Sequence, residues 1–117
     1  MKVLFTDFIF EDKESIRLDG CTFEFHGQTK SGQELVELSH DVDVICMRDQ
    51  FVKVTKEMLD DLPRLKMITT RSTGYDHIDL RAASEKGIVV CNVPDYGAHV
   101  VAEHAFGLLL AVARNIV

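Results

Sequence analysis

Two short stretches gather the residues able to do chemistry. The first is Thr70-Arg71-Ser72-Thr73-Gly74-Tyr75-Asp76-His77-Ile78-Asp79, which follows an apolar run and is rich in small and hydroxyl-bearing residues. A turn of that composition exposes consecutive backbone N–H groups, and Gly74 permits either a positive φ or the close approach of a ligand to the chain. Such amides suit the oxygens of a carboxylate or a phosphate. The same residues also describe a plain strand-to-helix turn with Asp79 as helix cap, and both readings stand on the residues alone. The second stretch is Asn92-Val93-Pro94-Asp95-Tyr96-Gly97-Ala98-His99. Pro94 stiffens the exit from an apolar run, and Tyr96 falls at a loop apex, where its hydroxyl either meets a ligand or packs as part of a surface lid.

Arg71, His77, His99 and His104 are the other tempting side chains. Arg71 is expected to make salt-bridge or loop contacts, His77 to be a turn or surface residue, and His104 to pack along a helix. His99 opens a helix, where a cation opposes the dipole, so it is expected to stay neutral and non-catalytic. The three cysteines, Cys21, Cys46 and Cys91, lack Cys-x-x-Cys spacing, which argues against a thiolate zinc site and against a disulfide scaffold. Cys46 and Cys91 end β-like runs and read as small buried hydrophobes.

These stretches need elements to hold them. Strands are expected over residues 2–8, 22–26, 42–47, 65–70 and 88–91, each short and apolar, with Phe23 and Phe25 on one face of the second. Helices are expected between them: Asp12 capping 13–18, Ser31 capping 32–38 with Glu34 in a capping box, Thr55 capping 56–62 before Pro63, and Asp79 capping 80–86 before Gly87. A longer helix runs from His99 or Val100 to at least Ile116. Strands alternating with helices describe an α/β sandwich on a parallel sheet, and five of them favour a flavodoxin-like order, 2-1-3-4-5. In such a sheet the loops leaving the C-terminal ends of strands carry the chemistry, and both stretches are such loops.

Of the 117 residues, 46% are apolar and 27% charged, which places the chain among soluble globular domains and excludes disorder. The net charge of −6, without a basic cluster, argues against nucleic acid and anionic lipid as partners. It leaves small anionic ligands open, since a local cluster of amides outweighs a screened distant field. No secretory leader and no membrane span is expected, because residues 100–117 are interrupted by Glu103, His104, Arg114 and Asn115; the default setting is reducing and cytoplasmic.

Residues 70–80, Gly87-Ile88-Val89-Val90-Cys91-Asn92-Val93-Pro94, Tyr96 and Val101-Ala102-Glu103-His104 together resemble the D-2-hydroxyacid dehydrogenases, especially their D-lactate-dehydrogenase-like branch. The likeness runs in order through about the last fifty residues and includes the Gly-x-Asp-x-Ile-Asp-Leu and Asn-Val-Pro-x-Tyr signatures. It implies a two-domain oxidoreductase in which a flavodoxin-like substrate domain, residues 1–99, faces an NAD-binding Rossmann domain. Hydride would pass between the nicotinamide and C2 of a 2-oxo or D-2-hydroxy acid. The resemblance further implies that the amides around Thr73 and Gly74 receive the substrate carboxylate, that Tyr96 approaches from the opposite side, and that Arg48 and Phe51 shape the pocket.

Two departures from the family stand out. Gly97-Ala98 follows where Ser-Pro or Gly-Glu is common, removing side-chain contacts, and Val100 replaces a frequent hydroxyl residue. The arginine and carboxylate-backed histidine that the family uses for hydride transfer match no residue here, and no Gly-x-Gly-x-x-Gly turn occurs. NAD is thus expected to bind a domain absent from this chain, with no catalytic residue, cofactor or metal held by residues 1–117 and no turnover by them alone.

Residues 100–117 are apolar on nearly every side, more than a surface helix needs. The resemblance implies an inter-domain helix at a two-fold interface, so a homodimer is expected; a helix wholly buried in its own domain is the alternative. Rival functions remain. A response-regulator receiver is mimicked by Asp7, Asp12 and Asp49 but wants a lysine that residues 92–96 lack. A flavodoxin wants a Ser/Thr-rich first loop, which Phe8-Ile9-Phe10 is not. A non-catalytic interaction module of the same fold is the chief alternative.

Overall fold

In the computed structural model, residues 1–8, 13–48 and 52–116 are described, with backbone alone at Glu14. Five parallel strands, β1 (Lys2–Phe5), β2 (Thr22–Phe25), β3 (Val44–Met47), β4 (Met67–Thr70) and β5 (Val89–Cys91), lie in the order β2-β1-β3-β4-β5. This is the expected flavodoxin-like wiring. Central β3 is buried along its whole length, as a strand covered on both faces requires, and its run Val44-Ile45-Cys46-Met47 accordingly shows no polar alternation.

Three helices follow the capping residues read from the sequence. α1 (Gly32–Ser39) starts at Ser31, whose hydroxyl accepts the Glu34 amide at 3.2 Å. The Glu34 carboxylate reaches back to the Lys30 amide at 2.7 Å, one residue beyond the reciprocal partner of an ideal capping box. α2 (Lys56–Asp60) is capped by Thr55 and α3 (Leu80–Glu85) by Asp79, whose carboxylate accepts the Ala82 amide at 2.9 Å. Gly87 then takes φ +71° and turns the chain into β5.

Leu35 from α1, Leu59 from α2, and Ala82 and Ala83 from α3 form one core with Leu4, Ile45, Met47 and Ile68 from the sheet. In β3 the alternate residues Ile45 and Met47 both face this layer, as a strand's two-residue period requires. Beyond Phe5 the sheet carries a different filling: Phe5, Phe8, Phe23 and Phe25 cluster, with Phe5 and Phe25 stacked at 5.3 Å and Phe8 and Phe25 at 4.8 Å. The expected pairing of Phe23 and Phe25 on one face thus has its cause in an aromatic layer.

The structure corrects two elements. The helix expected over residues 13–18 is a single 3₁₀ turn, α-helical nowhere, at Lys13–Ser15; Asp12, its expected cap, lies outside the described residues. Six residues are too few to sustain a helix without tertiary packing, and Leu18 is exposed, so no apolar face holds one. The final helix, α4 (Ala98–Arg114), begins earlier and stops earlier than expected, because Asn115 adopts the left-handed conformation (φ +50°) and sends its amide back to Ala111 and Val112.

No residue of α4 is buried, so the reading of this helix as an intramolecular core element fails, and so does that of His104 as a packed residue. The radius of gyration, 17.5 Å, exceeds the roughly 13 Å of a compact domain of this length. Among the described residues no helix is long and apolar enough to cross a membrane.

Candidate functional site

Both chemically promising stretches lie at the C-terminal edge of the sheet, on β4 and its neighbour β5. Parallel pairing places Thr69 opposite Cys91, so the two exits emerge side by side. They are then tied together. The Val93 amide donates to the Ser72 carbonyl at 3.1 Å, the Thr73 hydroxyl to the Val93 carbonyl at 3.0 Å, and the Asn92 side-chain amide to the Thr73 carbonyl at 2.8 Å.

Within the first turn the small hydroxyl residues bond locally. Thr70 donates its hydroxyl to the Ser72 carbonyl and Ser72 to the Gly74 carbonyl, both at 3.0 Å. The Ser72, Thr73 and Gly74 carbonyls are thereby occupied, while the Thr73 and Gly74 amides meet no acceptor among the described residues. Two adjacent donors without protein partners are what an anion requires. Gly74 does not use a positive φ; of its two expected advantages, only close approach to the chain remains.

A cleft of about 330 Å³ opens beside this turn, lined by Lys53, Gly74, Asp76 and His77. Its far wall forms where Val54 bridges Ile78: the Val54 amide donates to the His77 carbonyl at 2.8 Å and the Asp79 amide to the Val54 carbonyl at 3.0 Å. A second hollow of about 230 Å³ is lined by Tyr75, Leu80, Val90, Cys91 and Asn92.

His77 lies in a turn, one of its two expected places, and is buried there, 7% exposed. The bridge to Val54 draws its backbone into the fold, and the ring follows. Arg71 makes loop contacts, as expected: its Nη2 donates to the carbonyls of Thr6 at 2.7 Å and Asp7 at 3.0 Å, and the guanidinium lies 5.5 Å from the Phe8 ring centre. Cys46 is buried and Cys91 half-buried. Burial pushes the Cys46 thiol up, with Arg71 pulling the other way, so Cys46 is an inert thiol.

The remaining residues scatter along the same edge. Tyr96 is 67% exposed and follows Asp95, whose φ is +53°; it lines neither hollow. Arg48 is exposed just beyond β3, where Met47 pairs with Thr70, which sets Arg48 level with Arg71. Phe51 lies outside the described residues. His99 is exposed in the first turn of α4.

Sequence reasoning passed over Lys53 and the side chain of Asn92, and weighed Asp7 only as part of a receiver-like acidic set. Lys53 was legible: Val52 and Val54 are 5% and 2% exposed, and the residue between two buried valines must point the opposite way. Asp7 holds φ +56° while its carboxylate accepts the Thr29 amide at 3.0 Å. Its role depends on a partner 22 residues away, which no local pattern announces.

Residues 3–114 match the family of D-isomer-specific 2-hydroxyacid dehydrogenases, catalytic domain. The chain belongs to this family. Among its relatives, the D-3-phosphoglycerate dehydrogenase of Methanocaldococcus jannaschii is 42% identical over 117 residues, covering 99% of this chain and 22% of that protein. The hydroxypyruvate reductase of Thermotoga maritima is 43% identical over 107 residues, covering 90% and 35%. Among solved structures, D-lactate dehydrogenase from Aquifex aeolicus, complexed with NAD and lactic acid, superposes with a TM-score of 0.74 at 32% identity, covering 93% of this chain and 33% of that one. The chain thus spans about a third or less of these relatives.

A dinucleotide does not fit the residues described. Phosphate-binding glycine turns sit where a strand exits into a helix. The glycines with positive φ here, Gly20 and Gly87, instead lead into β2 and β5 at the opposite edge of the sheet.

Proposed function

We propose that residues 1–99 form the substrate-side domain, and residues 100–117 the start of an inter-domain helix, of an NAD-dependent oxidoreductase that interconverts a 2-oxo acid and a D-2-hydroxy acid. The observation that carries this reading is the pair of amides at Thr73 and Gly74 that meet no acceptor among the described residues, on a strand exit of a chain in this family. There they receive the substrate carboxylate, orienting C2 without supplying the hydride or the proton. Tyr96 and Arg48 border the same edge, and in this reading these two, together with Phe51, shape the pocket around the substrate. The cofactor lies on residues other than these, and the residues of this chain are not sufficient for turnover.

The exposed α4 supports a further part of the reading. Val101, Phe106, Leu109, Leu110 and Val112 are each 59% exposed or more, an apolar surface that a second copy of the chain covers in a homodimer. The same surface is what favours the second reading, a non-catalytic module that acts by association alone.

NADH oxidation by the polypeptide that carries these residues together with its cofactor domain separates the two. The dehydrogenase reading expects turnover with glyoxylate, hydroxypyruvate or pyruvate and D-configured product from the latter two. An L-configured product, or dimerisation with no turnover on any 2-oxo acid, removes it in favour of the module.

A further inference from the structure

The Thr73–Gly74 turn is held on one side by Asn92 and Val93. On the other side the holding group is Arg71, two residues before it. We propose that Arg71 is a positioning residue for the anion-binding turn: its charge is spent on the carbonyls of β1 and serves the ligand only by fixing where the amides point. This rests on the reading of the turn as a carboxylate site.

Several contacts converge on this side chain. The backbone amide of Arg71 donates to the Met47 carbonyl at 2.8 Å, continuing the β3–β4 ladder one residue past β4. From that anchor the side chain crosses β3 to reach β1, where one nitrogen, Nη2, donates to two successive carbonyls, of Thr6 and Asp7. The contact spans 65 residues in sequence, so it ties the exit of β4 to the loop past β1. The Phe8 ring, 5.5 Å from the guanidinium carbon, lies against it.

Asp7 extends the link. It keeps φ +56°, donates its amide to the Gly27 carbonyl at 2.9 Å and accepts the Thr29 amide on its carboxylate. A left-handed conformation in a non-glycine residue is strained and persists where surrounding bonds impose it. From Thr29 through Asp7 and Arg71 to Ser72, Thr73, Val93 and Asn92, one hydrogen-bonded belt crosses the C-terminal edge of the sheet from the exit of β2 to that of β5. Arg71 is the member that joins its two halves.

This placement also excludes the direct role. A guanidinium whose Nη2 is committed to two carbonyls and whose Nε is buried is turned toward the loop past β1 and away from the Thr73 and Gly74 amides. Lysine is a poor substitute, since its single ammonium on a flexible stem lacks the planar fork.

The test uses the 117-residue chain with Arg71→Lys and Arg71→Met, reading hydrogen exchange at every backbone amide and glyoxylate affinity by calorimetry. Both variants are expected to speed exchange at residues 72–76 while amides of β3 and α1 keep their rates, and to weaken glyoxylate by about tenfold, the size of one charged hydrogen bond. Unchanged exchange at 72–76 overturns the proposal. So does undiminished glyoxylate binding by the variants. If the unsubstituted chain binds no glyoxylate yet the variants loosen 72–76, the carboxylate reading falls and Arg71 remains the residue that sets the turn. Should Arg71→Met fail to fold, Arg71→Lys, which keeps the charge, carries the same comparison.

Discussion

The side-chain amide of Asn92 donates to the Thr73 carbonyl at 2.8 Å while the Thr73 hydroxyl donates past it to the carbonyl of Val93. This crossed pair closes the gap between two strand exits and leaves the Thr73 amide outward. Asn92→Ala removes one half of it. The loss is expected to be about 1 kcal/mol in urea unfolding, as for a hydrogen bond exchanged partly with water, with a several-fold loss in glyoxylate affinity. Unchanged affinity would separate the crossed pair from the site.

Gly74 matters for access rather than for backbone strain, since its φ is not positive. Gly74→Val is therefore expected to fold with a melting temperature close to that of the unsubstituted chain, yet to lose measurable binding of glyoxylate, because a branched side chain stands where the anion must approach. Binding retained by the valine variant would place the ligand elsewhere.

At the opposite edge of the sheet, Asp43 is the charge hub. Its carboxylate accepts the Lys2 amide at 2.8 Å and Lys66 Nζ at 2.9 Å, with Arg64 at 3.6 Å. The Lys2 amide first, then Lys66, hold its pKa down to about 2, against an unfolded value of 3.8. A depressed carboxylate stabilises the fold fully above its unfolded pKa and loses that contribution as pH falls through the folded one. Acid titration of stability is thus expected to show a fall between pH 4 and pH 2 that Asp43→Asn makes shallower, at the expense of lower stability at pH 7. An identical acid limb in the variant would remove Asp43 as its source.

Because α4 has no buried residue, polar substitutions on it are expected to leave the sheet intact. Phe106→Glu with Leu109→Glu should shift the chain toward monomer in sedimentation velocity while melting stays within about 2 °C, as for surface changes that remove no intramolecular contact. Self-association unaffected by both charges would end the case for α4 as the interface.

The fold was legible because its signals are local. Ser31, Thr55 and Asp79 each precede a helix they cap, and the apolar runs of β1, β3 and β4 have no polar alternation to confuse them with surface strands. Residues 13–18 misled because a cap and a charge pattern do not supply an apolar face. Around the candidate site, the small-residue turn at Thr73 and Gly74 was readable from composition as a strand exit, whereas the burial of His77 follows from a bridge to Val54, and the commitments of Arg71 and Asp7 follow from sheet order. Those are contacts between distant segments, invisible until the strands are laid side by side.

The most direct test of the central claim is amide chemical shift in the 117-residue chain during titration with glyoxylate at pH 7. The account predicts saturable shifts centred on the amides of Thr73 and Gly74, with Lys53 and His77 as near neighbours. Saturable shifts centred elsewhere, or none at these two amides, would contradict it.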